Sequence, residues 1–102
     1  MGNQRTSPTY DLDEIKRSVR SMHHQAFTGS SLQGIAELGM TINDAIDCIE
    51  NLTSEDFYKT MPSKKDPSHF QDVYHGSYWN EAIYIKFTGY PDRPIVISFK
   101  EK

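Results

Sequence analysis

The chain has 102 residues, 36% of them hydrophobic and 25% charged, with a formal net charge of -3 and an isoelectric point near 5.7. That length suits one domain with one core and excludes two, and the acidic balance lacks the basic footprint usual in nucleic-acid binders. No apolar run approaches the roughly 18 residues of a membrane-spanning helix, no secretory pattern is read at the start, and Cys48 has no second cysteine to pair with, so a soluble, cytoplasmic protein with a buried, inert thiol is expected.

Residues 1–10, MGNQRTSPTY, are polar and carry Pro8, which suggests a loose N-terminal arm. Asp11 and Glu14 then have the spacing of a capping box, and Leu12, Ile15, Val19 and Met22 recur at helical intervals. Lys16, Arg17 and Arg20 lie toward the end of that helix, where cations suit the dipole. QAFTGSS interrupts it, with a short strand expected at residues 25–28. SSLQGIAELG reads as a second helix stopped by Gly39. Thr41 and Asp44 cap a third, whose apolar stripe is Ile42, Ala45, Ile46 and Ile49, ending at Leu52. Thr53 and Asp56 repeat the capping spacing and predict a last turn over SEDFYKT. MPSKKDPSH is expected to be a mobile loop.

From there the hydrophobic period changes to two. FQDVYH, NEAIYIKFT and RPIVISFKE read as strands, with HGSYW and GYPDR as the turns between them. Helices first and strands after predict an α+β domain of two layers, with N-terminal helices packed on one face of a C-terminal antiparallel β-sheet. Basic residues concentrate in this half, at Lys59, Lys64, Lys65, Lys86, Arg93, Lys100 and Lys102.

Side chains alternate across a strand. Ile83, Ile85, Phe87, Ile95, Ile97 and Phe99 are therefore expected under the helices. Tyr84, Lys86, Ser98 and Lys100 are expected on the open side. A turn centred on Asp92 puts Tyr84 opposite Lys100, and a turn centred between Ser77 and Tyr78 puts Gln71 beside Tyr84. Gln71, Tyr84 and Lys100 then form a row across three strands, with neighbours about 5 Å apart; a slip of one residue would destroy it. The plainer reading of the same pattern is a solvated sheet face whose lysines serve solubility.

LTSEDFYKTM, FQDVYH, YIKF and IVISFKEK, in that order, resemble the motility quorum-sensing regulator (MqsR) toxin family, and AELGM with the helix after it also fits. The resemblance runs through nearly the whole chain after residue 10. It implies a RelE-like fold and a type II toxin: an endoribonuclease that cuts mRNA at GC-containing triplets, without a metal, and arrests growth. It also implies an MqsA-type antitoxin with a zinc-binding domain that covers the toxin and a helix-turn-helix domain that binds DNA. No direct DNA binding by this chain is expected. The family's active-site positions match Lys59 in DFYK, Gln71 in FQDVY, Tyr84 in IYIK and Lys100 in SFKEK.

RNA carries its own nucleophile, the 2′-hydroxyl, so cations and a phenol suffice for its cleavage. In this reading Lys59 and Lys100 neutralise the scissile phosphate, Tyr84 orients or exchanges a proton, and Gln71 bonds a phosphate oxygen or a base edge. Nearby cations are expected to lower the pKa of Tyr84 and of the lysines. Lys64, Lys65, Lys86, Arg93 and Tyr58 are candidate RNA contacts, and Tyr74, Tyr78 and Trp79 are candidate stacking or packing groups. The histidines match no zinc signature; His69 or His75 as an acid–base residue is a minor option. The competing function is a non-catalytic module that binds protein or RNA through the same sheet face.

Overall fold

The computed structural model of the chain describes residues 7–89 and 94–102. Each helix begins where the sequence supplies a side-chain oxygen. Asp11 accepts from the backbone N–H of Asp13 and Glu14 at the start of α1, Leu12–Met22. Thr28 accepts from Ser31 N–H at the start of α2, Gly29–Glu37. Thr41 and Asp44 form a reciprocal box at the start of α3, Ile42–Glu50. Such caps satisfy N–H groups that have no partner within the helix.

The expected strand at residues 25–28 reduces to one bridge, Phe27 with Val96, after a 3₁₀ turn over His23–Ala26. The expected turn over SEDFYKT stops early. The 3₁₀ segment is only Ser54–Asp56, and Phe57–Pro62 is already strand β1. The sheet continues with β2, Phe70–Tyr78, β3, Glu81–Phe87, and β4, Val96–Glu101, in the order β1-β2-β3-β4, all neighbours antiparallel. The fold is therefore α+β, helices first and sheet after, as the change of period implied.

The core lies between these layers and contains Val19, Ile35, Ile49, Tyr74, Ile83, Ile85, Phe87 and Phe99. Cys48 is buried in it, and burial, with lesser help from Asp47 and Asp56, pushes its thiol up to about 12. Gly34 lets α2 lie directly on β4, since a Cβ there would meet the Phe99 carbonyl oxygen at 1.9 Å. Arg20 pairs with Glu50 at 2.6 Å, and the Lys16 ammonium donates to the carbonyls of Glu50 and Leu52, binding α1 to the end of α3.

Two expectations change here. Ile97 does not join the core. A β-bulge where β4 pairs with Lys86 and Phe87 puts Val96 opposite Phe87 and leaves Ile97 half-buried on the open side. The N-terminal arm is held where it is described. Buried Asp72 accepts from the N–H groups of Thr9 and Tyr10, and the Tyr10 hydroxyl donates to the Phe70 carbonyl.

Candidate active site on the open face of the sheet

Register builds this face. Across β3 and β4, Tyr84 stands opposite Lys100 and Lys86 opposite Ser98, as the hairpin reading required. Across β2 and β3, however, His75 stands opposite Tyr84, and Val73 opposite Lys86. Gln71 is thus not beside Tyr84. The reason is Gly76, which the sequence reading placed in a turn. Gly76 lies within β2, opposite Ile83, with the Leu52 side chain 2.9 Å from where a Cβ would be. The strand runs on to Tyr78 and turns at Trp79 and Asn80, both at positive φ. The displacement from Gln71 to His75 is an even number of residues, so Gln71 keeps its place on the open face.

Lys59 belongs to the sheet rather than to a segment before it. It pairs with Val73 in β1, next to a bulge between Phe57 and Lys59 that turns Tyr58 toward the open face. The Tyr58 ring stacks on His75 with centroids 4.2 Å apart and planes 22° from parallel. His75 and Tyr84 have ring centroids 6.0 Å apart. The Lys100 Nζ lies 5.1 Å from the centre of the Tyr84 ring, and the Lys59 Nζ lies 5.4 Å from that of Tyr58, both within cation–π range. An unbroken line, Tyr58, His75, Tyr84, Lys100, therefore crosses all four strands. The sequence reading missed His75 as a member of it, although its strand and face were legible. Only the turn position hid it.

Electrostatics separates the roles open to these groups. Burial, then the cations Lys102 and Lys59, hold the His75 imidazole below its ordinary value, so it is neutral at pH 7. Burial, then Tyr58, raise the Tyr84 phenol. This overturns the expectation that neighbouring cations lower it: burial disfavours the phenolate and sets the direction, and Tyr84 stays a donor. Lys86, half-buried, is lowered by burial first and then by Lys100, Lys64 and Lys59. Val73, fully buried yet outside the main core cluster, lies between Lys59 and Lys86 in register.

Beyond Lys86 the same face opens into a cavity of about 540 Å³, whose lining includes Gln71, Thr88, Met61 and Ile97, with Lys64 and Lys65 on its loop side. That loop is tied rather than open. Ser63 N–H donates to the His69 carbonyl, His69 N–H donates to the Asp66 carbonyl, and the Asp66 carboxylate meets the His69 ring at 2.7 Å. The four predicted catalytic residues thus divide: Tyr84 and Lys100 form one pair, Lys59 flanks them across His75, and Gln71 belongs to the cavity. Tyr74 is core, Trp79 is exposed at the hairpin tip, and the Tyr78 hydroxyl donates to Asp47 of α3. Arg93 lies outside the described residues. Among the described residues no helix is long and apolar enough to cross a membrane.

The profile of the family described as motility quorum-sensing regulator, toxin of MqsA, matches residues 7–101. The mRNA interferase toxin MqsR of Escherichia coli (strain K12) is 31% identical to this chain over 99 residues, which cover 97% of this chain and 99% of that protein.

Proposed function

This chain belongs to the family of motility quorum-sensing regulator toxins, and we propose that it is an endoribonuclease that cuts mRNA on the open face of its sheet, as the toxin of a toxin–antitoxin pair. The observation that carries the reading is the line Tyr58, His75, Tyr84, Lys100 with Lys59 and Lys86 beside it. It gathers a neutral imidazole, a protonated phenol and several ammonium groups on one surface. A module that only binds needs no such division of proton acceptor and donor.

The roles follow from the protonation states. A neutral His75 takes the proton of a ribose 2′-hydroxyl as that oxygen attacks the neighbouring phosphorus. Lys59 and Lys100 flank His75 and Tyr84 and neutralise the charge that grows on the phosphorane oxygens. Tyr84 gives its hydroxyl proton to the departing 5′-oxygen as the P–O5′ bond breaks, and the proton taken by His75 then returns to the phenolate through solvent. The products are a 2′,3′-cyclic phosphate and a 5′-hydroxyl end. Tyr58 supports His75 by stacking and offers a face to an unstacked base. Cleavage at GC-containing triplets, independence from metal ions, action in the cytoplasm, and neutralisation by an MqsA-like antitoxin carrying a zinc-binding and a helix-turn-helix domain complete the reading.

Mapping the ends produced on a long transcript in EDTA tests it. The expected result is discrete cuts bearing 5′-hydroxyl ends from the parent protein and few or none from folded His75→Ala, Tyr84→Phe and Lys100→Ala variants. An intact transcript, or undiminished cutting by all three variants, would overturn it.

A further inference from the structure

We propose that the cavity beside the catalytic line is a nucleobase subsite, which holds the base of a nucleotide flanking the cleaved bond; the proposal rests on the nuclease reading for the identity of its ligand as single-stranded RNA. Four observations point there. First, at about 540 Å³ the cavity is of ligand size, within the usual range for small-molecule sites. Second, its lining mixes apolar Met61 and Ile97, suited to the flat face of a base, with the neutral amide of Gln71, which offers one donor and one acceptor edge. A site for phosphate alone would need neither.

Third, Thr88 is 2% exposed, lines this cavity, and its hydroxyl has no hydrogen-bond partner. Among the described residues it is the one buried side-chain polar atom left so. Buried hydroxyls are nearly always satisfied, because burying one unpaired is unfavourable. A hydroxyl kept unpaired on the wall of a cavity is accounted for by a ligand that pairs with it. Fourth, Lys86 belongs to both places. It lines the cavity and lies two residues after Tyr84 on the same face of β3, with Ser98 opposite it and Lys100 close enough to lower it. A base in the cavity therefore carries its own phosphate toward the line of Tyr84 and Lys100. The bulge that moves Ile97 out of the core is what supplies one apolar wall.

The four nucleoside 3′-monophosphates, titrated separately into isotope-labelled full-length chain, test the subsite without relying on cleavage. The expected result is preference for one base by about fivefold or more, the worth of one or two hydrogen bonds, with resonance shifts at Gln71, Thr88 and Ile97. Thr88→Val removes the hydroxyl at nearly constant shape and is expected to fold and to lose that preference. Met61→Trp fills the cavity and is expected to abolish the shifts at Gln71 and Thr88. Equal affinity for all four bases, or a preference that neither variant alters, would overturn the subsite. Cut-site mapping with the same proteins separates this from the nuclease reading. A parent that binds one base selectively but leaves RNA intact removes the nuclease and keeps the subsite. A parent that cuts RNA with a base preference untouched by either variant does the reverse.

Discussion

Tyr84 and Lys100 face each other directly across β3 and β4, with the lysine ammonium 5.1 Å from the centre of the phenol ring. The ring and the cation support one another through the π face, while the Tyr84 hydroxyl makes no hydrogen bond with another described residue. Packing and chemistry in this pair therefore reside in different atoms.

Tyr84→Phe keeps the ring, the cation contact and the register, and removes only the hydroxyl. We expect thermal stability close to the parent's and a fall in the cleavage rate of about 10²-fold or more, the usual range for a lost proton-transfer group. Lys100→Ala removes the charge and is expected to slow cleavage further when assayed at saturating RNA. Single-turnover cleavage beside thermal melts checks both. A slow Tyr84→Phe that is also unstable would assign the residue to packing.

The pH dependence follows from the two shifted groups. His75 must be neutral to accept a proton, and its pKa is lowered by burial, Lys102 and Lys59; the groups facing it are Tyr58 and Lys59 of β1, Tyr84 of β3 and Lys102 beyond β4. Tyr84 must stay protonated, and its pKa is raised. Activity is thus expected to rise with pH through a value below the ordinary imidazole figure of about 6.5, then hold a plateau until above the ordinary phenol figure of about 10. Removing the charge of one of these cations, as in Lys59→Gln, should move the acidic limb upward, because the imidazolium is then less repelled. A rate–pH profile that keeps its acidic limb in His75→Ala would assign that limb to another group.

The helices were legible because their signals are local. Asp11 and Thr41 each accept from a backbone N–H within three residues, and the apolar stripes sit on period, whereas the Thr28 cap of α2 lay in a segment read as a strand. The open face was legible by alternation, and Tyr84 opposite Lys100 followed from one turn. What failed depended on partners distant in sequence. Gly76 looked like a turn residue, yet it lies within β2 with Leu52, distant in sequence, packed over it. Two bulges, at Phe57/Lys59 and at Lys86/Phe87, break alternation where β1 begins and where Ile97 changes sides. Nothing in a strand's own composition announces a bulge. The pKa of Tyr84 went the other way because its largest cause is burial, a property of the folded layer that cannot be counted along the chain.

Gly34 provides a test of how α2 seats on the sheet. In an exposed helix Gly→Ala would stabilise by up to about 1 kcal/mol. Here the new Cβ would meet the Phe99 carbonyl oxygen at 1.9 Å, a backbone atom of β4 that cannot rotate away. The clash should win, with Gly34→Ala destabilising by about 1–3 kcal/mol. Because Lys100 follows Phe99 on β4, cleavage should fall even at temperatures where the variant is folded. Urea denaturation and activity of the folded fraction check the two halves. A variant as stable as the parent would mean that α2 can lift from β4 freely.

The β2–β3 turn carries strain of a different kind. Trp79 and Asn80 have φ of 53° and 64°, the left-handed values of a two-residue hairpin turn that favours Asn followed by Gly. Asn80 tolerates this, but a bulky Trp does so at a disadvantage. Trp79 is 58% exposed, with its ring centroid 5.2 Å from that of Tyr78, so burial does not explain its presence there. Trp79→Asn combined with Asn80→Gly should stabilise the chain by about 1 kcal/mol, raising Tm by about 4–8 °C. If the strained, exposed indole is kept for binding, the stabilised double variant should cut naked RNA like the parent but be less readily inhibited by its antitoxin. A double variant that melts lower than the parent would show instead that the Trp79–Tyr78 contact outweighs the strain, and equal inhibition would leave the indole no part in that interface.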